Sequence, residues 1–350
     1  MRDMRLIHGP MKLRASLHET IWGGQRLRDV AGKCLPEGRL IGESWETATD
    51  SQIIEGPHTG RSLGAAVEAM GAESLGERAV SLYGARFPLL AKFIDAHQWL
   101  SVQAHPDDVY AAAREGGKLG KTECWYILDA APDARIVYGV NRSVTREAVR
   151  AAVERTQLEE LLLTVEVEAG DVIFVPAGTV HAIGAGVALY ELQEYSDITY
   201  RLYDYGRLQQ NGQPRELHIE RALDVMRYEP SPNVKAAVCE MSADTAAERR
   251  ILAACDYFVE EELRLKGQFT GEATDASLQI LTVLEGSCEL LPAEAPSMRL
   301  ELGNTAILPA SMGSYALDGG SRLIRAYVPE AHDEALARWR AAQPAAESSR

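Results

Sequence analysis

Three absences narrow the reading of this 350-residue sequence before any motif does: it has no long apolar run, no paired cysteines and no excess of positive charge. No stretch approaches the roughly 20 apolar residues that span a bilayer. The N-terminal MRDMRLIHGPMKL carries basic residues without the apolar core of a signal sequence. A cytoplasmic protein with no membrane partner is therefore expected. The five cysteines (Cys34, Cys124, Cys239, Cys255, Cys288) are odd in number and far apart, and none stands in CxxC spacing. That excludes a disulfide framework and a thiolate zinc site. With 36 basic against 51 acidic residues the formal charge is −15, and such a field repels phosphate backbones, so nucleic acid is not an expected partner. A small phosphorylated ligand meets the same repulsion and needs basic side chains gathered locally.

Two nucleotide motifs are also missing. GGKLGKT (116–122) looks like a phosphate loop, but Glu115 stands where its first glycine belongs. The strand-like ECWYIL follows where a helix N-terminus would be needed. Gly184-Ala185-Gly186 opens no GxGxxG fingerprint and precedes a strand pattern.

What is present is mostly β. FPLLAKFIDA (87–96), WLSVQAH (99–105), ECWYILDA (123–130), RIVYGV (135–140), DVIFVPAG (171–178) and VALYELQEY (187–195) read as strands between Gly, Pro and Asp turns. Residues 62–84, 143–165 and 215–227 show the i, i+3, i+4 apolar spacing of helices. Beyond residue 234 strands return, at 278–291, 302–317 and 321–329. Gly170-Asp-Val-Ile-Phe-Val-Pro176 and Gly303-Asn-Thr-Ala-Ile-Leu-Pro309 align at a shift of 133 positions, which a duplicated β-barrel explains. The same shift carries His181 onto Ser314, so only the first copy is expected to be catalytic. The expected division is a catalytic unit over 1–213 with a helical insertion around 62–84, a helical connector over 214–233, a metal-free second unit over 234–330 and a tail over 331–350. That tail begins as a short helix and ends in small polar residues.

Gln103 and His105 are two apart on a predicted strand, so their side chains share a face. Glu123 opens the next strand, and His181 follows the turn VPAGTV. A Gln, His, Glu, His set without sulfur suits zinc or another divalent first-row metal. One carboxylate against a divalent ion leaves a formal charge of +1, enough to polarise a carbonyl and hold an enediolate oxyanion. His8, His18, His58, His97, His218 and His332 lack such neighbours and read as ordinary hydrogen-bonded residues.

QAHP (103–106), GKTECWYIL (120–128), VPAGTVHAIG (175–184) and LQEYSDITYRLYDYGR (192–207), supported by IWGG (21–24), GESWE (42–46) and PLLAKFIDA (88–96), resemble type I phosphomannose isomerases of the short bacterial form, over about residues 12–230. The resemblance implies two cupin-type jelly-roll barrels joined by helices. It also implies one zinc ion on Gln103, His105, Glu123 and His181, and interconversion of mannose 6-phosphate and fructose 6-phosphate through a cis-enediol. Arg201 matches the family's catalytic arginine, and a guanidinium suits developing negative charge. Lys121 and Ser101, beside two of the ligands, are candidates for the phosphate or the sugar hydroxyls, whereas Lys92 reads as structural. Glu194 is the choice for the proton shift, with a water molecule or Lys121 as alternatives. Trp22, Trp45, Trp125, Tyr200 and Tyr203 read as core. The competing readings are an isomerase of another phosphorylated or free sugar, an iron oxygenase and a non-catalytic sugar-binding cupin. A monomer or small homo-oligomer is expected.

Overall fold

The computed structural model describes residues 9–343 except 210, 232, 244 and 245. The expectations for residues 1–8 and 344–350 lie outside the described residues. The chain is mainly β and its strands form three antiparallel sheets.

A six-stranded sheet runs in the order Val172–Val175, Glu123–Ala130, Val187–Glu194, Leu89–Ala96, Ile41–Trp45, Ser16–Gly24. A five-stranded sheet runs Tyr200–Tyr203, Val102–Ala104, His181–Ile183, Arg135–Val140, Leu162–Glu166. The third has ten strands, chiefly from the second half of the chain. Met11–Arg14 and Gln52–Glu55 also belong to it, because Met11–Arg14 pairs with Thr305–Leu308. The strand Met11–Arg14 is thereby stitched to the last third of the chain.

The six-stranded sheet is the middle layer. One face packs Phe93, Cys124, Tyr126, Tyr190 and Leu192 against Ile251, Phe258, Ile280 and Ile324 of the ten-stranded sheet. The other packs Ile94, Trp125, Ile127 and Leu189 against Ile136, Tyr138 and Ile183 of the five-stranded one. This explains why Leu89–Ala96 and Val187–Glu194 read as nearly unbroken apolar runs: every residue in both is buried. An antiparallel sheet wetted on one face would alternate instead. Each sheet ends in edge strands, so among the described residues the jelly-roll layers stack as an open sandwich, and the expected closed barrels are not formed.

The insertion at 62–84 is helical as expected, broken by glycines into Leu63–Met70, Ala72–Leu75 and Glu77–Tyr83. The 143–165 helix stops early, at Arg146–Glu154. Thr156 then takes a positive φ of 58°, and β-branched Thr164 and Val165 enter a strand at the sheet edge. The helix at 215–227 is confined to Ile219–Val225, and Glu334–Ala342 forms the terminal one.

Candidate metal centre and active site

Strand register brings the site residues together. In the five-stranded sheet His181 and Arg201 both lie opposite Gln103, which places Arg201, Gln103 and His181 side by side on three adjacent strands. Glu123 begins the facing strand of the middle sheet. The loops are fixed by their backbones: Lys121 N–H donates to Pro106 O (3.0 Å), and Gly178 N–H donates to His105 O (2.8 Å). Gly178 has φ of 83°, and a Cβ there would lie 2.7 Å from Val225 O. The turn before His181 therefore requires glycine.

His105, Glu123 and His181 form a buried group whose ligand atoms lie within 4.8 Å of one another, a group that could hold a metal ion. Glu123 Oε1 is 3.2 Å from His181 Nε2, and its Oε2 is 3.6 Å from His105 Nε2. The far nitrogens are committed: His105 Nδ1 donates to Ile198 O (2.7 Å) and His181 Nδ1 to Thr179 O (2.9 Å). That fixes the tautomer leaving both Nε2 lone pairs aimed inward, the usual orienting device of ligating histidines. Burial, reinforced by Lys121 and its fellow imidazole, pushes His105 well below its ordinary pKa. Burial lowers His181 to about 4, despite the Thr179 carbonyl. Both rings are neutral at pH 7, as ligation requires.

Glu123 is fully buried, with no hydrogen-bond donor on Oε1 and the Lys121 ammonium against Oε2. Burial raises its carboxyl to about 7 against the opposing pull of Lys121. Lys121 Nζ is 2.6 Å from Glu123 Oε2 and 3.2 Å from His105 Nε2. A buried carboxylate with one oxygen lacking a donor, faced by two imidazole Nε2 atoms, fits a divalent cation. Gln103 adjoins this group, its Nε2 3.3 Å from His181 Nε2 and its Oε1 accepting from Ser101 at 3.4 Å.

Arg201 is linked to this group through Ser101, which bonds Gln103 in turn. Its Nε donates to Ser101 Oγ (3.2 Å) and its Nη1 to Glu216 O (2.8 Å). The nearby Asp204 is paired with Arg207 and Arg215. Burial and then Arg215 depress the Arg201 pKa. Three guanidiniums around one carboxylate make the local positive excess that the overall charge denies the surface.

Glu194 is not brought to the metal group. Strand alternation turns it to the opposite face, where its Oε1 accepts from Thr122 N–H (2.9 Å). Burial and Asp108 raise it to about 8. The carboxylate on the cavity face is Glu191, which lies opposite Lys92 and Trp125. Lys92 Nζ is 3.0 Å from its Oε1, and Trp125 Nε1 donates to its Oε2 (3.0 Å). Burial would raise Glu191, but Lys121 and Lys92 outweigh it and hold the carboxyl at about 2. A charged residue in the unbroken apolar run VALYELQ was the signal that could have found it. Lys92 and Trp125, read as structural and core, belong to the same row.

A layered antiparallel sandwich with a buried, sulfur-free His–Glu–His group that could hold a metal ion is the arrangement of a cupin-type protein. Two family descriptions match: phosphomannose isomerase type I, catalytic domain, over residues 11–143, and mannose-6-phosphate isomerase, cupin domain, over 248–328. Mannose-6-phosphate isomerase ManA of Bacillus subtilis (strain 168) is 37% identical over 90% of this chain and 98% of its own. Mannose-6-phosphate isomerase of Streptococcus mutans is 34% identical over 92% of this chain and 99% of its own. The crystal structure of the Bacillus subtilis mannose 6-phosphate isomerase superposes with a TM-score of 0.79 at 34% identity, covering 91% of this chain and 99% of that one. The chain belongs to the type I phosphomannose isomerase family, a family of aldose–ketose isomerases.

Proposed function

We propose that the protein interconverts D-mannose 6-phosphate and D-fructose 6-phosphate through a cis-enediol, using one zinc ion held by Gln103, His105, Glu123 and His181. The observation that carries this reading is the fully buried Glu123, its Oε1 without a donor, between two neutral imidazoles, in a chain 34–37% identical, nearly end to end, to mannose-6-phosphate isomerases. A bound divalent cation would supply Lewis acidity to the C1 and C2 oxygens. Gln103 would turn its amide oxygen to complete the set.

The chain's own residues divide the remaining work. Arg201, with Ser101 at hand and Arg207 and Arg215 behind, takes the anionic parts of the substrate, where charge is short of a partner. Lys121 adds a further cation beside Glu123. Glu191 replaces Glu194 as the carboxylate of the proton shift. It is ionised and lies on the Glu123 face of the sheet, so it can take the proton from one carbon and return it to the adjacent one, regenerating the carboxylate. The Lys121 ammonium offsets the developing charge. This chemistry falls within residues 1–213, and the unit at 234–330 supports it from behind.

A coupled assay of mannose 6-phosphate against free mannose, with chelation and zinc add-back, tests substrate and metal together. Turnover of the phosphate ester only, lost on chelation and restored by zinc, is the expected result. Oxygen consumption with iron, or equal turnover of free mannose, overturns the reading.

A further inference from the structure

Beyond Lys92 the row facing the cavity continues to the sheet edge. Trp45 lies opposite Lys92, and on the last strand His18 lies opposite Glu43. The side chains form a chain of fixed contacts. Trp45 Nε1 donates to Glu43 Oε2 (2.6 Å), and Glu43 Oε2 is 3.6 Å from Lys92 Nζ. That ammonium also sits 5.0 Å over the Trp45 ring. Lys92 thus stands between two carboxylates, Glu43 and Glu191, and each carboxylate is capped by an indole N–H. At the Glu191 end Trp125 is wedged against His181, with ring centroids 5.3 Å apart. At the Glu43 end the corresponding support for Trp45 is the His18 ring, at 4.3 Å and 35°.

Trp45 needs that support because its other neighbour is a cavity of about 660 Å³, lined also by Leu90, Phe87, Tyr195 and Asp197. An indole with open space beside it swings unless something holds it. His18 holds it without competing for Glu43: no hydrogen bond joins them, and the buried His18 Nε2 has no partner. We infer that His18 is a positioning residue of the isomerase site, acting through Trp45 and Glu43 to hold the Lys92 ammonium against Glu191. This rests on the isomerase reading above, and it gives a role to a histidine whose sequence context marks it as ordinary.

The test is a double-mutant cycle on the metal-loaded enzyme. His18→Ala should lower kcat about fivefold to tenfold with KM changed less than about twofold, as loosening a positioned group does. Metal content should stay at the wild-type value. His18→Phe, which keeps the ring and drops both nitrogens, should recover most of kcat. Trp45→Phe, which loses the indole N–H, should cost at least as much as His18→Ala, and the double variant should be no worse than Trp45→Phe alone. Should His18→Ala fail to fold, His18→Leu enters the same cycle. Additive losses, a rise in KM alone, or a wild-type kcat in His18→Ala would overturn the inference while leaving the isomerase reading standing. An inactive metal-loaded wild-type protein would overturn that reading itself.

Discussion

Arg201 and Glu260 show how differently two buried charged groups are used. Arg201 is half-buried, crowded by cations and bonded only to a hydroxyl and a carbonyl. Its charge is therefore free to meet a developing oxyanion. Arg201→Ala should reduce kcat by roughly 10²–10³, the scale of losing one oxyanion donor, with zinc content unchanged; an effect on KM alone would place it in uniform binding. Glu260 has no such outlet. It is buried between the middle and ten-stranded sheets, where the Cys124 thiol is its hydrogen-bond partner. Burial raises its carboxyl from 4.5 to about 8, with Glu262 adding to the rise against the Cys124 thiol. An acid whose folded pKa is raised binds more protons folded than unfolded, so its presence costs stability progressively as pH climbs from about 4.5 to about 8. Glu260→Gln should therefore melt close to wild type at pH 4.5 and increasingly above it by pH 8. Each pKa unit corresponds to about 1.4 kcal/mol. Melting curves of the two proteins across that range decide the sign.

At the scale of elements, the turn carrying VPAGTV does more than connect two strands. Its Gly178 ties the His105 backbone to the loop before His181, in a conformation that side chains resist. Gly178→Val should therefore lower zinc affinity as well as stability, measured by metal titration and thermal melting. A melting change with unaltered affinity would show that the two ligands are placed independently. The same turn illustrates how much was legible. Period two puts Gln103 and His105 on one face, strand–turn punctuation leads to Glu123 and His181, and the structure gathers His105, Glu123 and His181 into one buried group. The period could not say which face of Val187–Glu194 meets the cavity, because both faces are buried and alternation is erased. The pattern therefore points to Glu194 and is silent on Glu191. The early strands at Met11–Arg14 and Gln52–Glu55 were missed because their partners lie in the distant second half and at a short edge, which local pattern does not encode.

At the scale of the molecule, the metal strand is also the structural keystone. Glu123–Ala130 is buried over its first five residues and packs toward both neighbouring sheets: Cys124 and Tyr126 on one side, Trp125 and Ile127 on the other. The Tyr126 hydroxyl donates to Glu262 (2.7 Å) in the ten-stranded sheet, and Arg322 from the same sheet donates to that hydroxyl (3.1 Å). Local disorder around Glu123 cannot stay local, since its alternate residues belong to two different cores. A ligand bound by the folded protein alone adds about 2.7 kcal/mol at a hundredfold excess over its Kd. For a chain of this size each kcal/mol moves Tm by roughly 2–4 °C or less. Chelation should therefore lower the melting temperature by several degrees, and it should do so as one transition carrying the second unit with the first. His181→Ala should start at the chelated value and respond to neither chelator nor zinc. Calorimetry showing two transitions, with only one moved by zinc, would mean that the ten-stranded sheet folds independently of the metal site, despite the shared strands.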